Sequence, residues 1–363
     1  MPASTIFTLI FTPPASIDGV TDITLTTVER ATGGNEPESI QSIKLNAPLD
    51  YASQGRCVTT GDYEVFVRKL FPQTQAVNVF GGEQGSFNSS TGVTSTPEYG
   101  KVFISVKSTT GANLTSSQKT QLVSDLSKYT VASITPVIVD PETTFLILDV
   151  RFKYDSSKTT LATSQIESEV VSAITKYNTD NLEKFEGVFR HSKVTRLIDD
   201  ANTSILNNTT NVNLGKFFAP DTTAATSYNI YFNNALYNPH SGHNSSAGGI
   251  LASTGFFING DTTNEHFLDD NGAGIVRLYY VLAGNRVYVD TTAGTINYST
   301  GAVFIESLFV TTVSDVDGAT STEIRITVVP NSKDIVPVRN QTLKLDLTNS
   351  TVLGEIDTDS VGD

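Results

Sequence analysis

The sequence predicts an α+β chain in three parts: N-terminal strands with a helical element, a central α+β sandwich-type domain, and a C-terminal antiparallel all-β domain. Three observations carry that reading. Thr alternates with apolar residues near the start, and helix-period segments bounded by Pro and capping residues fill the region from 36 to about 205. No helical period is then visible from about 211 to 345. At roughly 150 residues per domain, 363 residues give about 2.4 domains. The expected limits are 1–100, 101–210 and 211–346, with 347–363 as a flexible acidic tail poor in core formers.

The first stretch, Ile6 to Val28, alternates Thr8, Thr12, Thr24 and Thr26 with Phe7, Leu9, Phe11, Ile23 and Leu25. That pattern suits a half-buried sheet. It starts abruptly, so the reading expects a region upstream. Glu36-Pro37-Glu38 opens a short helix, in which Ile40, Ile43 and Ala47 share a face and Pro48 is the expected stop. A second helix begins at Thr59, with Asp62 three residues on as in a capping box. Tyr63, Phe66, Val67 and Leu70 form its apolar face. Val77 to Phe80 reads as a strand running into Gly81-Gly82, and the Ser-, Thr- and Gly-rich segment from Gln84 to Glu98 as a loop.

Val102, Ile104 and Val106 mark a strand, and Thr115 to Lys128 a helix opened by Thr115 and Gln118. Strands follow at Ile134 to Val139 and Phe145 to Tyr154. The longest helix runs from Ser164 to about Leu182, with Ser164 and Glu167 at its start and Ile166, Val170, Ile174 and Tyr177 inward. Ser192 is the expected cap of another, with Val194, Leu197 and Ile198 inward. The later strands are short aromatic and β-branched runs between Gly, Asn and Asp, with hairpin turns at Thr300-Gly301 and Asp315 to Gly318.

Composition narrows the function. Lys and Arg number 24 against 38 Asp and Glu, a net charge of −14, with no basic cluster to neutralise a polyanion; nucleic acid is not an expected partner. One cysteine, Cys57, excludes a disulfide framework and a Cys-built zinc site. No apolar run approaches the ~20 residues that span a bilayer, and the opening residues lack the charged start of a signal peptide. Charged residues make up only 17% and Trp is absent. A structural protein is the leading expectation, with no catalytic, metal or cofactor site.

Each chemical candidate has a plainer reading beside it. His240 and His243 stand three apart, a spacing a metal can use, in a segment that reads as a surface loop without further ligands. Asp269-Asp270-Asn271-Gly272 resembles a calcium loop faintly but lacks its alternating acids and terminal Glu, so an acidic turn is expected. Glu265, His266 and Asp269 suggest a base and its orienter, yet nothing supplies a nucleophile. Cys57 precedes a helix N-cap, where a thiol pKa is lowered; without a partner His, a small buried Cys is the simpler reading. Phe217 and Phe218 lie in a loop-like stretch and suit interface anchors.

One continuous stretch is more specific. Gly33-Gly34-Asn35-Glu36-Pro37-Glu38-Ser39-Ile40, then Ala47-Pro48, then Arg56-Cys57-Val58-Thr59-Thr60-Gly61-Asp62-Tyr63 resembles the baseplate J-like proteins of contractile phage tails. Their pattern is Gly-Gly, a Glu-Ser-Ile helix, Ala-Pro and Arg-x-Val-Thr-x-x-Asp-Tyr. Downstream, Asp140-Pro141, Tyr177-Asn178, Phe189-Arg190-His191-Ser192 and Asp334 to Gln341 resemble the C-terminal part of the larger wedge proteins of T4-like phages. Gly61 departs from the pattern, at about 1 kcal/mol of helix propensity. The N-terminus also begins too late for the helical bundle region of a full-length wedge protein.

The resemblance implies a wedge subunit of the tail baseplate in the virion, assembled in the host cytoplasm. It implies homodimer and ring contacts, junctions with other wedge subunits, and rearrangement on host attachment, with no small-molecule substrate, nucleic acid or membrane as partner. The structural motif residues would be Gly33, Gly34, Glu38, Ile40, Pro48, Arg56, Thr59, Asp62 and Tyr63. The contact residues would be Phe217, Phe218, Asp334, Pro337, Arg339 and Asn340. The rival reading is a glycan-binding tail or adhesin module built on the β-rich C-terminal half.

Overall fold

The computed structural model describes residues 40–84, 86–88, 92–94, 97–111, 113–131, 133–242, 249–316 and 320–358. The expected strands within 6–28, and Gly33, Gly34 and Glu38, lie outside the described residues.

The chain builds two cores. The first begins with α1 (Ile40–Ser53) and α2 (Thr60–Leu70), then β1 (Thr74–Gly81), β2 (Ser86–Asn88), β3 (Gly92–Thr94), β4 (Lys101–Ser108), α3 (Ser116–Leu126) and β5 (Thr135–Val139). Pro48 does not stop α1 but sits inside it. Its missing N–H frees one carbonyl bond, and the exposure of Lys44 and Ala47 lets water take the place of that bond. The expected inward face of α1 is also not inward, since Ile40 is 73% exposed. β2 and β3 pair as a small hairpin within the segment expected to be a loop.

β1, β4 and β5 form a sheet in that order, β4 antiparallel to β1 and parallel to β5. The parallel pair needs a crossover, and α3 supplies it. β4 is central, so Phe103 is buried together with the alternating Val102, Ile104 and Val106. Against this sheet pack Tyr63, Phe66 and Val67 of α2 and Leu122 and Leu126 of α3, closing a core with Cys57, Val77 and Leu114.

The second core belongs to one 13-stranded sheet. Its members are β6 (Glu142–Tyr154), β7 (Ile205–Phe218), β8 (Thr226–Tyr231), β9 (Leu251–Ser253), β10 (Phe256–Ile258), β11 (Asp261–Asp270), β12 (Ile275–Leu282), β13 (Asn285–Asn297), β14 (Ala302–Leu308), β15 (Val310–Val313), β16 (Ile324–Val328), β17 (Gln341–Leu345) and β18 (Thr351–Ile356). The order runs β17-β6-β7-β16-β9-β11-β12-β13-β14-β8, with β10 joining β11 to β15 and β18 also beside β6. Two helices, α4 (Thr163–Asn181) and α5 (His191–Asp199), pack near the β6 end and bury Ile166, Val170, Ile174, Tyr177, Val194 and Ile198.

The last two strands correct two expectations. Both run parallel to β6, so this body is not purely antiparallel. The expected loose tail instead pairs Thr351 to Ile356 with Asp149 to Tyr154; only 359–363 lie outside the described residues. Gly354 is there because the chains run close: a Cβ would stand 2.7 Å from the Phe152 ring. The cores also divide the chain differently from the expected limits. One spans residues 57–126 and the other 146–345, so β4 pairs back across residue 100 and β7 crosses 210. Burial of a shared face decides the grouping, and composition alone does not report it.

Helix starts follow suit. Thr59 and Thr115 cap α2 and α3 with full capping boxes, as expected. α4 starts one residue earlier than expected, and Gln165 Oε1 accepts the Ala162 N–H at 2.9 Å. Glu167 bonds the Gly354 N–H of β18 instead, at 2.9 Å. α5 has Arg190 at its N-cap, with Ser192 already helical.

Candidate functional site

The Arg56 to Tyr63 element is a structural joint. The Cys57 N–H donates to the Tyr129 carbonyl at 2.8 Å, which ties the loop before α2 to the loop after α3. Asp62 Oδ2 accepts from the Thr59 and Val58 N–H groups at 2.8 and 3.1 Å, and Thr59 Oγ1 accepts from the Asp62 N–H at 3.3 Å. Desolvation alone would raise the Asp62 carboxyl, but these donors outweigh it and hold it below its ordinary range. Tyr63 is buried and Phe66 lies 4.5 Å from the Tyr129 ring. Arg56 is exposed, and its guanidinium reaches the Gln54 side-chain oxygen at 3.4 Å. The Cys57 thiol is pushed up to about 12 by burial and then by the Asp62 charge, opposite to activation by the helix end.

The acids of β11 are not a surface turn. Asp269 and Asp270 are buried, Asp269 met by donors on β12 and β13 and Asp270 by donors on β9 and in the adjoining loops. Asp269 accepts from Arg277 Nε at 2.9 Å, an Arg286 guanidinium nitrogen at 2.6 Å and the Tyr288 hydroxyl at 2.9 Å. Asp270 accepts the N–H groups of Ile250, Leu251 and Gly272 and the Tyr298 hydroxyl, all within 3.0 Å. Burial and the Asp270 charge raise the Tyr298 phenol, which stays a donor. Side chains alternate along a strand, so His266 and Asp269 face opposite sides of the sheet and cannot work as base and orienter. The His266 ring is buried, with neither nitrogen hydrogen-bonded among the described residues and Nε2 3.7 Å from the Asp261 carboxylate. His240 is exposed in its loop and His243 lies outside the described residues. Among the described residues, no three or more His, Cys, Asp or Glu side chains gather as a metal site, and no helix is long and apolar enough to cross a membrane.

The expected contact segment, Asp334 to Gln341, works inside the molecule. Asp334 accepts from the Arg190 guanidinium and the His191 N–H, both at 2.9 Å, and so caps α5 from 143 residues away. The Arg190 bond first, then the His191 N–H, hold its carboxyl below the usual range. Asn340 is buried; its side chain donates to the Asp140 carbonyl and its own carbonyl accepts the Glu142 N–H at 2.9 Å. The Arg339 backbone carbonyl accepts from the Asn78 side chain, joining the two cores. Pro337 is half-buried. Buried Asn340 is thereby excluded as a surface contact. Phe217 and Phe218 end β7 rather than a loop, against Phe145 at 4.9 Å and Tyr228 at 4.7 Å.

Sequence reading named Asn178 and Gln341 for their resemblance but did not foresee the buried bonds they make. Gln341 donates to the Thr144 hydroxyl and the Phe232 carbonyl, and Asn178 accepts the Leu345 N–H at 2.8 Å. Each also has a near partner, Val338 for Gln341 and Glu183 for Asn178, but the bonds that join elements reach more than 100 residues away, and no local spacing signals those. Asp269 and Asp270 serve to close the fold, and among the described residues no nucleophile, base and oxyanion donor converge.

With this geometry in place, the comparisons become interpretable. Residues 59–139 match the family model described as "Baseplate structural protein gp6, C-terminal domain I". Residues 142–216 match "Baseplate structural protein gp6, C-terminal domain III". Both segments are gp6-like. The first gp6-like segment starts at the α2 cap and stops at the end of β5; the second starts with β6 and stops within β7. Over 185 residues the chain is 29% identical to "Baseplate wedge protein gp6" of Enterobacteria phage T4, which covers 51% of this chain. The chain spans 26% of that curated relative's length. A cryo-EM structure of the anti-feeding prophage (AFP) baseplate, 6-fold symmetrised, aligns with 49% of this chain and 38% of its own, at 12% identity and a TM-score of 0.32.

Proposed function

We propose that this chain is a non-enzymatic structural subunit of a contractile-tail baseplate, of the wedge class. The observation that carries the reading is the pair of adjacent gp6-like segments, 59–139 and 142–216, on either side of the junction between the two cores. The buried chemistry agrees, because its charged groups are used up in holding strands and helix ends. The Arg56 to Tyr63 joint is the baseplate J-like element of this reading.

In the virion the subunit sits in the tail baseplate, pairs with a second copy and joins other wedge subunits. Rigid cores linked by a few directional contacts, such as Asn78 to Arg339, suit a part that moves as a body when the baseplate changes shape. A stable pair buries more than about 1,000 Å² in total. Solution mass of the purified chain, measured by light scattering across a wide concentration range, tests the pairing. A mass rising to that of a dimer is the expected result. A strictly monomeric species at the highest concentration overturns the dimer.

A further inference from the structure

Beside the β8 end of the large sheet, six residues of three strands stand in two rows across one face. Register places Phe304 of β14 between Asn229 of β8 and Thr295 of β13, and Ala302 between Tyr231 and Asn297. The opposite face of the same strands carries Ile230, Ile296, Val303 and Ile305, all buried. In the outward rows Asn229, Thr295 and Asn297 are exposed and Tyr231, Ala302 and Phe304 half-buried, with the β2–β3 hairpin touching β8. Ala302 is the smallest member, and the dip over it, between Tyr231 and Asn297, lies in an open groove of about 660 Å³ that Asn238 also lines. Small-molecule sites fall in the range of roughly 300–1,000 Å³.

The chemistry of the lining is selective. Among the described lining residues there is no Asp, Glu, Lys, Arg or His, in a chain of net charge −14. The side chains of Asn229, Asn238 and Tyr231 make no hydrogen bond to any described residue. A carboxamide offers both donors and an acceptor, which matches hydroxyl groups that also do both. The rings of Tyr231 and Phe304, each half-buried, add flat apolar surface with one polar tip. Desolvation raises the Tyr231 phenol, so it remains a donor. No described lining residue offsets the charge of an ionic ligand.

We propose that this groove binds an uncharged, hydroxyl-rich oligosaccharide, with its C–H faces on Tyr231 and Phe304 and its hydroxyls on the carboxamides of Asn229 and Asn238 and on the side-chain amide N–H of Asn297, whose oxygen already accepts the Ser299 and Thr300 N–H groups. The inference stands apart from the baseplate reading and survives its failure. An extended peptide would instead use the backbone of β8, which ends the strand order.

The test is a glycan array of neutral and acidic oligosaccharides probed with the full chain, followed by calorimetry on the best neutral binder. Selective binding of neutral glycans is expected, weakened about tenfold or more by Asn229→Ala with Tyr231→Ala and lost in Ala302→Trp, which fills the dip. Thermal melting of each variant confirms folding; if Ala302→Trp does not fold, the Asn229 and Tyr231 variants decide. Absence of neutral binders, preference for acidic glycans, binding unchanged in the variants, or capture of peptides alone each overturns the proposal.

Discussion

The two cores solve the same problem at different ranges. In the N-terminal core both capped helices, α2 and α3, carry their own capping residues: Thr59 with Asp62, and Thr115 with Gln118. In the C-terminal body the start of α4 keeps a local partner, Gln165, but the start of α5 is capped by Asp334, and the end of α4 is tied to β17 by Asn178 accepting the Leu345 N–H. Local caps form as soon as a helix does, whereas distant ones form only when the sheet closes. The first core is therefore specified piece by piece, and the second cooperatively, through a few buried polar groups whose partners are remote in sequence.

The sharpest way to break that contrast is Asp270→Ala. Four donors lose their acceptor in a buried setting, so a loss of at least about 3 kcal/mol is expected in urea unfolding of the C-terminal body. A cost near zero would mean that the buried acid does not hold β9, β11 and β13 together.

Asp334→Ala removes the distant cap and is expected to cost about 1–2 kcal/mol near neutral pH. Its carboxyl titrates below the unfolded value of about 3.9, so its contribution is present above that pH and lost as pH falls through the folded pKa. Unfolding midpoints of parent and variant should thus converge in acid. A gap that persists at low pH would remove the electrostatic cap from the argument.

Thr59→Ala and Thr115→Ala should each cost about 1 kcal/mol, and together close to the sum, because they serve separate helices. Marked non-additivity by thermal melting would make the first core as cooperative as the second. The gentlest probe is Cys57, whose buried thiol, raised to about 12, should resist iodoacetamide at pH 7.5 until the first core opens. Labelling rates in Asp270→Ala should stay close to those of the parent protein. If they rise in step with loss of the C-terminal body, the two cores open as one.

The same contrast explains what could be read from residues alone. The capping boxes of α2 and α3, the inward faces of α2, α4 and α5 and the strands at 134–139 and 145–154 were legible because each is a local pattern. Pro48 misled, since an exposed helix can tolerate a proline that a buried one cannot. Asp269 and Asp270 looked like a surface turn, because two adjacent acids carry no sign of the Arg277, Arg286 and Tyr298 that meet them after folding. Asp334 to Gln341 was singled out, but for outward contacts. Its residues hold α5, β6 and β1 together, and no spacing within the segment encodes partners so far away. β18 was missed because its neighbour β6 contributes the apolar face that the acidic strand itself lacks.

The pairing of β6 with β17 and β18 bears on synthesis. Strand partners 199 residues apart, such as Thr143 and Thr342, emerge from the ribosome at different times. At about 5–20 residues per second, β6 waits some ten to forty seconds with one edge open. A nascent chain in that interval offers neighbours on the same polysome a ready strand template, and slowing translation before Gln341 should increase aggregation of the newly made protein.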